Sequence, residues 1–113
     1  MTTTLFIMNR DINGANSFIL PDSNTKYQTI LAAGVAQSCT APNDYQLYRV
    51  IFSFNGAPIW VSINGIAEVP GSSFTATTSS LSKVGLEVTA GTVLSFITNQ
   101  VSAEIGVEFY AIQ

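Results

Sequence analysis

Residues 47–69 read LYRVIFSFNGAPIWVSINGIAEV, three apolar runs parted by two Asn-Gly pairs, Asn55-Gly56 and Asn64-Gly65. Asn-Gly accepts two successive positive φ values and so closes a two-residue hairpin with the twist that paired strands need. The runs are rich in Val, Ile, Phe, Tyr and Trp, which fit a pleated, half-buried surface. The stretch therefore predicts a three-stranded meander. Pro58 stands at the mouth of the second strand, where a missing amide costs no ladder bond. Period-two alternation puts Tyr48, Val50, Phe52 and Phe54 on one face, predicted to be core, and Leu47, Arg49, Ile51 and Ser53 on the other. In the second run Ile59, Val61 and Ile63 are predicted to face inward. Trp60 then shares the outer face with Ser62 and Asn64. Two readings of Trp60 stand side by side: an outward anchor for a partner, or a ring covered by a loop of its own chain.

Outward from this stretch the pattern stays β. Residues 2–8 (TTTLFIM) read as a first strand or N-terminal arm, and a turn follows at 9–14. Asp11-x-Asn13-Gly14 lacks the further oxygen ligands and closing Glu of a calcium loop, so it reads as an Asx turn. Residues 17–20 form a short strand stopped by Pro21-Asp22-Ser23-Asn24. Strands follow at 27–31 and 37–40, and 32–36 (AAGVA) is either one helical turn or a bulge. Residues 70–83 (PGSSFTATTSSLSK) are small and polar, with Phe74 and Leu81 as their only large apolar side chains. Strand, turn and strand recur across 86–98. Residues 104–112 alternate most cleanly: Ile105, Val107, Phe109 and Ala111 one way, Glu104, Gly106, Glu108, Tyr110 and Ile112 the other. About eight strands with turns every 8–12 residues predict a single all-β domain over 1–113, an antiparallel β-sandwich. The Cys…Trp…Cys spacing of an immunoglobulin domain is absent, which favours a jelly-roll-like arrangement.

At 113 residues the chain is long enough to bury a core without staples. It is 47% hydrophobic and only 10% charged, against ~25% charged in ordinary soluble domains. Twelve Ser, twelve Thr and eight Asn supply the polar surface instead. Such a skin packs closely against protein because few charges must be desolvated. The net charge of −3 and four scattered bases, Arg10, Lys26, Arg49 and Lys83, disfavour nucleic acid and anionic membranes as partners. One cysteine, Cys39, permits no intrachain disulfide and reads as a small hydrophobe. No signal peptide and no apolar run of membrane-spanning length is seen, so folding in a reducing cytoplasm is expected.

The expected chemistry is none. The chain has no histidine, which removes the commonest general base, the usual triads and most zinc sites. Glu104 and Glu108 lie ~13 Å apart along one strand face, too far for paired-carboxylate glycoside cleavage at about 5–10 Å. No phosphate loop, nucleophile elbow or dinucleotide fingerprint occurs. No catalytic, cofactor-binding or metal-binding residue is assigned, and no small-molecule substrate is expected.

The run IWVSINGIAEV (59–69), its continuation through PGSSFTATT (70–78) and EVTAG (87–91), and the closing VEFYA (107–111) resemble the small head-decoration and capsid-associated proteins of tailed bacteriophages. The likeness covers residues 45–113 and is one of strand-and-turn pattern. It implies a compact all-β cement protein, often a homotrimer, seated on the major capsid protein at the virion surface after assembly in the host cytoplasm. The 86–98 pair and closing strand also resemble trimeric jelly rolls of the tumour-necrosis-factor and C1q type. That likeness implies aromatic packing about a three-fold axis, with Tyr48, Trp60, Phe109 and Tyr110 as the rings available. Trp60, Phe74, Tyr48 and Tyr110 are thus the candidate interface residues. A second function stands beside this one: a carbohydrate- or receptor-binding head of a phage fibre, stacking Trp60 or a Tyr on a sugar.

Overall fold

The computed structural model describes residues 2–7 and 20–112. Eight strands follow in order: β1 (Lys26–Leu31), β2 (Gln37–Thr40), β3 (Leu47–Phe54), β4 (Ile59–Ile63), β5 (Ser80–Leu81), β6 (Gly85–Thr89), β7 (Val93–Thr98) and β8 (Ala103–Ile112). They form two four-stranded sheets, β1-β8-β3-β6 and β2-β7-β4-β5, with every strand pair antiparallel. The pairings nest: β1 with β8, β2 with β7, β3 with β6, β4 with β5. This is one long hairpin rolled up, the jelly roll expected from the sequence.

The alternation of β3 and β8 produces the core. Tyr48, Val50 and Phe52 of β3 and Ile105, Val107 and Phe109 of β8 are buried against Ile59, Val61, Leu94 and Phe96 of the second sheet. Phe52 and Phe96 meet edge to face across the two sheets at 5.7 Å, and Tyr48 meets Phe109 the same way at 6.5 Å. Each such ring contributes about 1.5–3 kcal/mol by leaving water. Ile63 departs from expectation. It ends β4 at the rim of the sandwich and is half exposed.

The meander expected over 47–69 does not form. Neither Asn-Gly pair takes two positive φ values: Gly56 (φ 95°) does so without Asn55, and Asn64 (φ 55°) without Gly65. A two-residue type I′ hairpin needs both. Residues 55–58 instead cross between sheets, a separation of about 10 Å. Beyond Asn64 the chain folds over the outer face of the second sheet. The Asn64 amide donates to the Val93 carbonyl at 2.7 Å, the Val93 amide to Asn64 Oδ1 at 3.0 Å, and the Ala67 amide to Ser95 Oγ at 3.0 Å. Residues 89–92 make the expected turn, with Gly91 at φ 74°, yet also pass from one sheet to the other.

Residues 32–36 are neither a helical turn nor a bulge. Ala33 makes a single parallel bridge to Thr98, and the Val35 amide closes a turn on the Ala32 carbonyl at 3.2 Å. Residues 2–7 run as an arm beside the end of β8, bridged at Leu5 to Ala111. The turn and Asx reading at 9–14 and the strand expected at 17–19 lie outside the described residues.

Candidate functional site

Three of the four candidate interface aromatics are interior. Tyr48 faces the core, and its hydroxyl donates to Asp44 Oδ1 at 2.6 Å while accepting the Tyr45 amide at 2.7 Å. Tyr110 lies on the outer face of β8, yet the arm covers it. Phe6 packs edge to face on its ring at 5.8 Å, and its hydroxyl donates to the Pro21 carbonyl at 2.7 Å. Trp60 is buried with Ala67 and Ile97 beneath residues 64–69, so the covering-loop reading of Trp60 holds. A ring already buried in its own chain offers no area to a partner, and in this conformation Tyr48, Tyr110 and Trp60 are corrected from contact residues to packing residues. Phe109, the fourth ring proposed for a three-fold axis, is also fully buried. Phe74 alone is at the surface, entirely exposed.

Topology assembles a surface that the linear sequence scatters. The connections 32–36, 55–58, 82–84 and 99–102 all emerge at one end of the sandwich, because β1, β3, β5 and β7 end there and β2, β4, β6 and β8 begin there. These connections hold sixteen residues and one charged side chain, Lys83. Val35, Val84 and Val101 stand out from three of them, 52%, 72% and 83% exposed. Ile30 and Leu81, exposed near the same rim on β1 and β5, extend the apolar character, with the exposed Glu104 of β8 beside Ile30. The opposite end differs, for it holds Asp44 and Asp22.

Asp44 is a structural clamp. It receives the Thr3 amide at 2.6 Å and the Thr3 hydroxyl at 2.9 Å in addition to Tyr48. The Tyr48 hydroxyl, then the Thr3 amide, hold its carboxyl down at about 2, because hydrogen bonds to the charged form favour it. Arg49 lies over the Phe6 ring at 4.6 Å and pairs loosely with Glu87 across the strands at 3.9 Å. Together these fasten the arm to the first sheet.

Cys39 faces the core from β2, and burial pushes its thiol up to about 11, far from the thiolate needed for reactivity. Among the described residues no three Asp, Glu, Cys or His side chains gather as a metal site would require. What the charge-poor end can do is lie against protein, since little there needs desolvating. Sequence reasoning missed Val35, Val84 and Val101. The available signal was that three separate connections each carry an unpartnered Val and almost no charge. No protein-family model, curated protein or solved structure matches this chain.

Proposed function

We propose that the protein is a structural subunit that docks its charge-poor end, and the bare Phe74, against neighbouring protein in a larger homo-oligomeric assembly. A bacteriophage head is the setting that the sequence resemblance implies, with the major capsid protein as the neighbour and the chain acting as decoration or cement. One observation carries the reading: four connections converge on one end with a single charge and three exposed valines. An interface core is depleted of charge in this way. Symmetric repetition then turns modest single contacts into strong avidity.

The test is light scattering across a dilution series, followed by sedimentation with empty capsids. Self-association, or co-sedimentation that saturates at a fixed stoichiometry, supports the reading. A strict monomer at high concentration that also stays in the supernatant refutes it.

A further inference from the structure

We infer that the outer edge of β2 is where a second copy of this chain adds its own β2, joining two sandwiches into one continuous sheet about a two-fold axis. This pairing between copies does not rest on the docking of the charge-poor end.

β2 is an outermost strand of its sheet, bonded on one side only, to β7. The ladder fixes which of its groups are used. The Ala41 amide donates to the Thr92 carbonyl at 2.8 Å, and opposed residues of an antiparallel pair alternate between bonded and unbonded. Cys39 and Gln37 therefore bond to Leu94 and Phe96. Ser38 and Thr40, opposite Ser95 and Val93, turn their amides and carbonyls outward. Val93 fixes the same phase, because its own amide and carbonyl bond on the far side to Asn64. Among the described residues nothing pairs with Ser38 or Thr40 on that outer edge.

An edge strand that stays single is blunted by charge, by proline, by a bulge or by being very short. The other three edge strands carry such devices. β1 opens on Lys26, β6 holds Glu87, and β5 is two residues long. β2 has none of them. Residues 27–43 contain no charged side chain, and their one proline, Pro42, lies beyond the strand. The hollows on either side of β2, one lined by Cys39, Phe96 and Ile105 and the other by Ser95 and Ile66, are uncharged as well.

The chemistry of the edge names its occupant. A row of outward N–H and C=O groups is matched by another strand, and an antiparallel edge is matched by its own copy across a two-fold axis. An axis at Ser38 sets that residue opposite its counterpart and keeps Pro42, which has no amide to give, out of the ladder. Ser38 and Thr40 are small and neutral, so close approach takes no charge out of water.

The experiment is sedimentation velocity of the full chain over a dilution series, with hydrogen exchange read at single amides. Wild type is expected to dimerise as concentration rises, and the Ser38 and Thr40 amides to exchange more slowly as it does. Ser38→Pro removes two hydrogen bonds between copies, one donor from each, and is expected to weaken the dimer by about thirtyfold. The variant keeps its own ladder, because that amide points away from β7. Ser38→Lys and Ser38→Glu keep the question open to test should the proline variant fail to fold. Each is expected to be monomeric alone, and an equimolar mixture to restore the dimer, since like charges directly opposite repel and unlike charges attract. A wild type that stays monomeric at the highest concentration overturns the inference. So do Ser38 and Thr40 amides already protected at full dilution, or a Lys and Glu mixture that associates no better than its components. Association that survives Ser38→Pro unchanged belongs to the charge-poor end instead, and overturns the edge pairing alone.

Discussion

Replacing Val35, Val84 and Val101 together by Ser separates docking from folding. Fully burying a Val contributes about 1.5–3 kcal/mol, and 52%, 72% and 83% of each remains to be buried. The three therefore offer about 3–6 kcal/mol to a partner that covers them. Loss of ~3 kcal/mol weakens association by about a hundredfold. The monomer itself should barely respond, because exposed loop substitutions change stability by about 0.5 kcal/mol or less each. Sedimentation velocity across a thousandfold dilution range reads the first quantity, and urea unfolding at the lowest concentration reads the second. An association constant unchanged within threefold removes this end of the sandwich from the interface. A monomer destabilised by several kcal/mol shows instead that the valines pack on their own chain.

Four further outcomes follow from the same structure. Phe74→Ser should leave the midpoint of urea unfolding in place, since the ring touches nothing it could lose, while weakening particle binding in a pull-down; a lowered midpoint contradicts the exposed placement. Asp44→Asn tests the arm clamp through pH. Its folded carboxyl is depressed to about 2 from an unfolded value near ~4, so its stabilisation is complete above that unfolded value and lost as pH falls towards 2. Wild type should thus exceed the variant in stability at pH 6 and match it near pH 2, and a gap that widens on acidification would contradict this. Gly106→Ala should raise stability by about 0.5–1 kcal/mol in calorimetry, because the unfolded chain loses freedom and the folded strand has space; a loss of that size would show the added methyl to clash. Phe96→Ala should cost about 3–5 kcal/mol, measured by the same unfolding curve, as its ring joins the two sheets at Phe52.

Strands were legible wherever one face is buried and the other wet. β3 and β8 show period two over eight and ten residues, and there the expected inward set matches the core. The turns misled. Asn-Gly is compatible with a hairpin, but sequence does not say whether the chain returns beside the strand it left or crosses to the facing sheet. A jelly roll takes the second route at 55–58 and again at 89–92. One local clue did exist. β4 carries Ile59 and Val61 on one face and Trp60 on the other, and a strand apolar on both sides is covered on both sides. Residues 64–69 are that cover, which is why Trp60 is interior. The candidate interface was scarcely legible, because Val35, Val84 and Val101 come to one end of the sandwich only through the nested pairing. Tyr110 was hidden by a different long-range event, the arm from residues 2–7.

The nested order bears on how the molecule comes into being. β8 sits between β1 and β3, so the first sheet has a gap at its middle until residues 103–112 have left the ribosome. Until then β1 and β3 hold open edges and an uncovered apolar side, a state prone to aggregate. Pairing Lys26 with Glu108 must also wait for a loop closure spanning most of the chain, which makes folding slow for a domain of this length. Synthesis and folding are therefore sequential events for this protein, with the last ribs of the barrel vault acting as its keystone.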